Sequence, residues 1–315
     1  MYFIAGVDIG GTAIKVGIFK SSDLELLSTF SIETPKKDPQ GLDIFEDIIK
    51  GLKTHFSELN FEFKDLIGIS LAVPCPVVEG YVTLAANLPW KNINVVNEMK
   101  KRLSNENILV CAINDANAAV MGENFLLDTP AKNLVFFTLG TSIGGGIIVN
   151  SQLLEGVHGY SGEFAHMIVD YRDKKVCGCG QKGCLEHKCS TAAVLEYAKE
   201  LVEIKKMPSI LDFKNLTVRG IFDNVSIDKV SKKVFDRYCK YLAICAANIA
   251  LIIDPEIFII GGGISHAGDP LIKNIKKYYN KYARFNSKSI PFVLAKRRNQ
   301  AGIFGTVCYL KQFLG

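Results

Sequence analysis

The chain carries the same pattern twice: a predicted strand, a glycine-rich turn and a second predicted strand. A short turn makes the two strands antiparallel neighbours, so each half of the chain should begin with a hairpin. In the first half a further strand, Leu24–Ile32, extends the hairpin into a meander. The repeat predicts two similar lobes, each with its own sheet. The strands and turns are Phe3–Val7, Gly10–Thr12 and Ala13–Phe19 in the first half, and Leu134–Leu139, Gly140–Gly146 and Ile147–Leu154 in the second.

Strands and helical patterns alternate along the rest of the chain, which indicates an α/β or mixed α+β class. A length of 315 residues allows two cores. We place the boundary near Asn114, so that residues 1–114 and the last helix, 301–315, form an N-terminal lobe. Residues 115–300 form a C-terminal lobe, with a cleft between the two. The further predicted strands are Leu66–Val73, Ile108–Ile113 and Glu256–Ile260, and the predicted helices are Ile44–Leu59, Ala116–Phe125, Ala192–Lys205, Ile227–Ile253, Pro270–Ala283 and Ala301–Phe313.

Composition and charge restrict the partners and the compartment. The net charge of +5 is modest and the lysines are scattered among acids, which argues against a nucleic-acid partner. No basic segment followed by an apolar core opens the sequence, and the longest apolar stretch, Ala243–Ile253, is shorter than the roughly 20 residues of a membrane helix. We therefore expect no export signal and no membrane partner. Three of the nine cysteines lie within eight residues, which suits metal binding in a reducing cytoplasm.

Each glycine turn has the composition of a phosphate-binding loop. Glycines let backbone N–H groups approach a phosphate, and the Thr12 hydroxyl adds a donor. Asp8 precedes the first turn and could hold Mg²⁺ through water, while Lys15 follows it. The second turn, Gly140–Gly146, has the same character. Either turn alone could be an ordinary tight turn, but two in repeated lobes can face the phosphates of one nucleotide.

A metal site is indicated by His166 and three cysteines, Cys177, Cys179 and Cys184. One imidazole nitrogen and three thiolates form a closed tetrahedral set for Zn²⁺, with no position left for an activated water. Such a zinc is structural. The second ring nitrogen of His166 could then contact a ligand hydroxyl. The alternative is that these four residues are unrelated.

Acidic and amide side chains near these motifs suit a substrate rich in hydroxyl groups, because they accept from or donate to adjacent hydroxyls. Three of them have ordinary alternatives. Asp115 at the start of a helix could act as its N-cap, and Glu163, like Glu186, could be a solvated surface charge. The set comprises Asn87, Asn114, Asp115, Glu163 and Glu186.

Several segments together resemble the ROK family of sugar kinases and repressors, in the actin-like ATPase superfamily, and within it the bacterial glucokinases. They occur in the family's order over nearly the whole chain, as GVDIGGTAIK, NDANAAVMGE, FTLGTSIGGGIIVN, GEFAHMIVD, CGCGQKGCLE and IFIIGGGIS. The resemblance implies two actin-like (ribonuclease H-like) lobes. Each would hold a mixed five-stranded sheet with helices, and the second a zinc-stapled loop.

The resemblance also implies roles for single residues. Asp115 matches the catalytic base, and Asp8 lies in the nucleotide motif. The sugar contacts match Asn87, Asn114, Glu163, His166 and Glu186, and the zinc ligands match His166, Cys177, Cys179 and Cys184. The nucleotide contacts match Gly10, Gly11, Thr12, Lys15, Thr138, Gly140 and Thr141, with Gly261, Gly262 and Gly263 near the adenosine.

The activity implied is transfer of a phosphoryl group from Mg²⁺-bound ATP to O6 of a hexose, most simply glucose, by a homodimer or homotetramer. N-acetylmannosamine kinase, fructokinase and allose kinase remain alternatives. A sugar-responsive repressor would carry a winged helix before Asp8, where there is no room for one. A filament-forming or chaperone-like ATPase would not need the zinc set. Cys75, Ser142 and Ala165 each replace a glycine that is usual in the family. Ser142 lies in the second phosphate loop, whereas Cys75 and Ala165 lie where the family contacts sugar and bear on the identity of the sugar.

Overall fold

The computed structural model describes residues 1–35, 38–85, 88–103, 107–296 and 300–314. The chain forms two compact units. The first contains Met1–Pro130, Leu153–Ser161 and Arg297–Gly315, and the second contains Ala131–Gln152 and Gly162–Lys296. None of the helices in the described parts of the chain is both long and apolar enough to cross a membrane.

A mixed five-stranded sheet forms the centre of the first unit, in the order β3-β2-β1-β4-β7. The first three strands pair antiparallel, as predicted, and β1-β4 and β4-β7 pair parallel. Helices pack on both faces, which is why these central strands are apolar along nearly their whole length. The elements of this unit are β1 (Phe3–Ile9), β2 (Ala13–Lys20), β3 (Leu26–Glu33), α1 (Asp43–Glu58), β4 (Leu66–Val73), β5 (Tyr81–Leu84), β6 (Lys91–Asn94), α2 (Val95–Arg102), β7 (Leu109–Asn114), α3 (Asp115–Phe125) and the last helix of the chain, Ala301–Lys311.

The second unit has a five-stranded sheet of the same design, in the order β10-β9-β8-β11-β12. Its β8-β9 pair is antiparallel, and β8-β11 and β11-β12 are parallel. The two mixed sheets confirm the predicted α/β class. The elements of this unit are β8 (Leu134–Leu139), β9 (Ile143–Val149), β10 (Gln152–Leu153), α4 (Glu186–Cys189), α5 (Thr191–Glu203), α6 (Val218–Asp223), α7 (Lys229–Ile253), β11 (Ile257–Gly261), α8 (Asp269–Tyr282) and β12 (Phe292–Leu294). The last helix of the chain, Ala301–Lys311, which belongs to the first unit, is α9.

Helix α3 belongs to the first unit, whereas the sequence assigned the residues after Asn114 to the second lobe. The reason is close packing of α3 on α9. A Cβ at Gly305 would lie 1.6 Å from the Ala118 carbonyl oxygen, and one at Gly122 would lie 2.0 Å from the Ala301 carbonyl oxygen. The two helices therefore approach each other closely at these glycines, and α3 packs on the C-terminal helix α9 in the first unit.

Strand β9 begins at Ile143, four residues earlier than predicted, so its three glycines lie in the strand and not in the turn. The physical reason is packing. A Cβ at Gly145 would come within 2.2 Å of the Phe164 ring, so glycine allows the ring to pack closely against the strand. The glycine turn proper is therefore short, from Gly140 to Ser142.

Candidate active site

The first glycine turn closes the hairpin between β1 and β2. The Gly10 N–H donates to the Ala13 carbonyl at 3.0 Å, and the Thr34 hydroxyl donates to the Gly10 carbonyl at 2.6 Å. The Thr34 N–H donates to the Thr12 carbonyl at 3.0 Å, and the Thr12 side chain is exposed. The predicted residues Gly10, Gly11 and Thr12 thus form one closely bonded turn with an exposed hydroxyl.

Asp8 and Lys15 lie opposite each other on β1 and β2, just before and after this turn. Burial raises the pKa of the Asp8 carboxyl, and the charge of Lys15 opposes that rise. The carboxyl also lies against the start of α9, because a Cβ at Gly302 would be 2.8 Å from Asp8 Oδ2. The structure thus brings together the two charged groups predicted to flank the first turn.

Helix α3 begins at Asp115, and its N-cap is Asn114. Asn114 Oδ1 accepts from the backbone N–H groups of Ala116 at 2.9 Å and Asn117 at 3.2 Å, the usual geometry of an N-cap. The alternative role of Asp115 as N-cap is therefore wrong. Asp115 is the first helical residue, and its Oδ1 accepts from the Ala116 N–H at 2.7 Å.

Cys75 lies beside this helix start and is buried. The side-chain amide of Asn114 donates to the Cys75 carbonyl at 3.2 Å. Burial raises the pKa of the Cys75 thiol to about 12, with a further contribution from the Asp115 carboxylate. Cys75, Asn114 and Asp115 therefore form one cluster in the first unit.

The second glycine turn joins β8 to β9. The Gly140 N–H donates to the Ser142 carbonyl at 3.0 Å, and the Thr191 hydroxyl donates to the Gly140 carbonyl at 2.8 Å. A Cβ at Gly140 would meet no described atom within 4 Å, so the turn is open at this point. Thr138, predicted with this turn, lies just before the end of β8 and pairs with Gly261 of β11.

A pocket of about 520 Å³ lies beside this turn, within the second unit. Of the predicted nucleotide residues, Gly140, Thr141 and Gly263 line the pocket. Gly262 packs closely against the end of β8, because a Cβ there would lie 2.4 Å from the Leu139 backbone. The volume is in the range of small-molecule sites.

Helix α6 and the turn after β11 complete the pocket with residues that the sequence did not predict. Phe222 supplies an aromatic wall held by edge-to-face contacts with Phe235 and Tyr238. Arg219 is exposed, and its Nε lies 3.5 Å from the Asp223 carboxylate. Six residues are too few for a helical pattern to be recognised, so no signal identified α6. The missed lining residues are Thr191, Val218, Arg219, Phe222, Asp223, Ile264, His266 and Ala267.

The predicted metal ligands converge in the second unit. The ligand atoms of His166, Cys177, Cys179 and Cys184 all lie within 4.8 Å of one another. Cys177 Sγ is 3.8 Å from His166 Nδ1, and Cys179 Sγ is 3.7 Å from Cys184 Sγ. In a tetrahedral site with Zn–S bonds of about 2.3 Å, neighbouring ligand atoms are about 3.8 Å apart. The donor set and its spacing therefore fit Zn²⁺, with Nδ1 as the ligand atom of His166.

Two predicted sugar-binding carboxylates, Glu163 and Glu186, lie near the metal ligands in the chain. Glu163 directly precedes a short 3₁₀ turn that ends at His166, and burial raises the pKa of the Glu163 carboxyl, an effect that the nearby His166 opposes. Glu186 begins α4, two residues after Cys184. Its Oε2 accepts from the Ser142 hydroxyl at 2.7 Å. The remaining predicted sugar contact, Asn87, lies outside the described residues.

Comparison with known proteins places this arrangement in one family. The ROK family profile matches residues 4–312. A glucokinase of Halalkalibacterium halodurans is 35% identical over 317 residues, covering 98% of this chain and 94% of that protein.

Solved structures give the same result. A ROK family glucokinase from Streptomyces griseus, in complex with glucose and AMPPNP, is 28% identical with a TM-score of 0.73, covering 98% of this chain and 99% of that one. A Listeria monocytogenes protein, provisionally assigned as an N-acetylmannosamine kinase, is 26% identical with a TM-score of 0.76, covering 99% and 100%. The family match over nearly the whole chain, together with these similarities, shows that the chain belongs to the ROK family.

Proposed function

We propose that this protein is an ATP-dependent hexose kinase that phosphorylates glucose at O6. The observation that carries the proposal is the pocket beside the second glycine turn. Its apolar wall, which includes Phe222 and Ile264, suits an adenine ring, while the Thr141 hydroxyl offers a donor at one side. The complex of the Streptomyces griseus glucokinase with glucose and AMPPNP supports this interpretation.

In the proposed reaction, Asp115 accepts the proton of the attacking sugar hydroxyl. The N-terminal end of a helix favours negative charge, so the start of α3 suits a carboxylate in this role. The sugar contacts would come from Asn87, Asn114, Glu163, His166 and Glu186. The first turn, with Gly10, Gly11 and Thr12, would contact the phosphates together with Lys15, and positioning would account for most of the rate acceleration.

Two metals are part of the proposal. Mg²⁺ would accompany ATP and neutralise phosphate charge, with the Asp8 carboxylate near it. Zn²⁺ would be held by His166, Cys177, Cys179 and Cys184 as a structural ion. With Nδ1 on the metal, the Nε2–H of His166 would be free to donate to a sugar hydroxyl.

Two observations bear on the compartment and the assembly. All nine cysteines are free thiols, which supports a reducing cytoplasm. The exposed apolar side chains of Leu251 and Ile252 near the end of α7 support assembly into a homodimer or homotetramer. Light scattering on the purified protein measures the assembly directly.

A coupled assay of ADP release across a panel of hexoses and N-acetylhexosamines tests the substrate. We expect the highest kcat/KM with glucose. A higher kcat/KM with N-acetylmannosamine would favour the second candidate, which the similarity to the Listeria monocytogenes protein supports. ATP turnover that no sugar accelerates would reject a sugar kinase altogether.

A further inference from the structure

Ser142 makes a contact that the predicted roles do not explain. It is the last residue of the second glycine turn, yet its hydroxyl does not point back to that turn. It donates to Glu186 Oε2 at 2.7 Å, across 44 positions in the sequence. The side chain of a residue in the nucleotide turn thus holds a carboxylate that the proposed function assigns to the sugar.

A second bond joins the same two segments. Just after α4, the Thr191 hydroxyl donates to the Gly140 carbonyl at 2.8 Å, and the Thr191 N–H reaches the same oxygen at 3.3 Å. Glu186 and Thr191 lie at the starts of α4 and α5, and Gly140 and Ser142 are the two ends of the turn. The turn and the α4–α5 segment are therefore bonded to each other at two points.

The chemistry of a carboxylate decides what the Ser142 bond can do. An ionised carboxylate accepts through two oxygens and about four lone-pair sites. Accepting the Ser142 hydroxyl at Oε2 orients the group and leaves Oε1 able to accept from a substrate. A glutamate side chain loses rotamer freedom when it is fixed, so prior orientation favours ligand binding.

We infer that Ser142 is a positioning residue for the sugar: its hydroxyl fixes the carboxylate of Glu186 and thereby connects the nucleotide turn to sugar affinity. The inference rests on the proposed function, because it takes Glu186 as a sugar ligand. It assigns Ser142 no contact with substrate of its own. The effect of replacing Ser142 should therefore depend on the presence of Glu186.

The test is a set of steady-state measurements with glucose and ATP on the full chain. In the Ser142→Ala protein we expect the glucose KM to rise about 2–10-fold, the range of one hydrogen bond to a partly exposed group. The ATP KM should stay within about twofold. Ser142→Thr keeps the hydroxyl and should restore the glucose KM to near that of the parent.

A double-mutant cycle separates this role from the alternatives. Glu186→Ala should raise the glucose KM strongly, and adding Ser142→Ala to it should change the glucose KM no further, because the hydroxyl acts only through the carboxylate. Equal effects of Ser142→Ala in both backgrounds would overturn the inference. A rise in the ATP KM alone would also overturn it and make the serine a phosphate contact.

Failure of the inference is distinguishable from failure of the proposed function. If Glu186→Ala raises the glucose KM and Ser142→Ala does not, only the positioning role of Ser142 is rejected. If Glu186→Ala leaves the glucose KM and glucose binding by calorimetry unchanged, the sugar role of Glu186 is rejected, and the role of Ser142 with it. Thermal midpoints of all variants exclude loss of folding as the cause.

Discussion

Asp115 offers the most direct test of catalysis at the scale of a single residue. Because Asn114 caps α3, the change Asp115→Asn removes a proton acceptor without removing the cap. We expect kcat to fall about 10²–10⁴-fold, the usual contribution of a general base, with little change in glucose affinity. The unfolding free energy should drop by no more than about 1 kcal/mol, the helix-dipole contribution of a charge in the first turn. Rapid-quench kinetics, calorimetry and thermal melts measure the three quantities.

The matched control is Asn114→Ala, which removes the cap and keeps the carboxylate. It should lower stability by about 1 kcal/mol and raise the glucose KM, because Asn114 is also a proposed sugar contact, but it should lower kcat far less than Asp115→Asn does. Turnover of Asp115→Asn within a few-fold of the parent would reject the base. A parallel loss of glucose affinity and turnover would mean that Asp115 chiefly binds the ground state.

Cys75 should be chemically inert in the folded protein, although it lies beside the proposed base. With a thiol pKa of about 12, only roughly one molecule in 10⁴ is the thiolate at pH 8, and the thiolate is the species that alkylates. We expect iodoacetamide to leave Cys75 unlabelled at pH 7–9 and to label it fully after denaturation. Peptide mass spectrometry reads out each cysteine. Labelling of native Cys75 at the rate of a free thiol would contradict both its burial and the proximity of the Asp115 charge.

The residue types indicated the chemistry of this site, but they did not indicate which residue has which structural role. The sequence placed Asn114 and Asp115 together at a helix start, and which of them caps depends on one backbone conformation. Arg219 and His266 in the pocket were not predicted, because a single basic residue in sequence has the same pattern as a solvated charge. The metal ligands were the easiest residues to predict, since their spacing in the sequence alone indicated that the four side chains come together.

At the scale of elements, the contact between α3 and α9 fixes the segment that carries Asp115. We expect Gly305→Ala to destabilise the protein by about 1–3 kcal/mol or more, because its Cβ would lie 1.6 Å from the Ala118 carbonyl oxygen and the helices must separate. The thermal midpoint should fall by about 2–12 °C. Calorimetry on the purified variant measures this directly.

A helical glycine in a looser environment provides the control. At Gly220 in α6 an added Cβ would lie 3.1 Å from the Thr217 hydroxyl oxygen, so Gly220→Ala should change stability by no more than about 1 kcal/mol, in either direction. If Gly305→Ala is as mild as Gly220→Ala, the close approach of α3 and α9 is not a constraint on the fold.

Long apolar elements were predictable from sequence, and short ones were not. The strands β1, β2, β4 and β8 were predicted from apolar runs of strand length, and the helix α7 was predicted from several turns of the helical period. The hairpin β5–β6 and the helices α4 and α6 have four to six residues each, too few to show a period. The early start of β9 could not be predicted for another reason. Gly145 accommodates the Phe164 ring, and that contact forms only in the tertiary structure.

At the scale of the whole molecule, each unit has a core of its own. One buried cluster packs α1 against one face of the first sheet, with Phe45, Ile48 and Leu52 on Phe3, Ala5 and Val7, and α9 covers Ile4 on the other face. A separate cluster fills the second unit, where Leu185 and Cys189 join the core directly after the metal ligands. Loss of the metal should therefore affect the second unit selectively.

This selectivity gives a prediction for zinc removal. The segments that carry the ligands are joined by backbone bonds, from the Leu185 N–H to the Met167 carbonyl at 2.9 Å and from the Val169 N–H to the Gly183 carbonyl at 2.8 Å. A zinc ion would cross-link these segments, and its removal leaves weaker contacts such as these bonds to hold them. We expect about one zinc per chain by elemental analysis. After chelation, amide hydrogen exchange should rise over residues 162–190 and stay unchanged in β1 and β4.

The Cys179→Ser protein is the genetic counterpart of chelation. Cys179 is exposed, so its change to serine removes a metal ligand without leaving a cavity in the core. Any increase in local hydrogen exchange can therefore be attributed to loss of the metal. It should bind less zinc, show the same local rise in exchange and lose glucose affinity through His166, while ATP affinity changes little. Zinc added back should restore the chelated parent and not the variant. Equal losses of glucose and ATP affinity, or exchange that rises equally in β1 and in residues 162–190, would mean general unfolding and would reject a local, structural zinc.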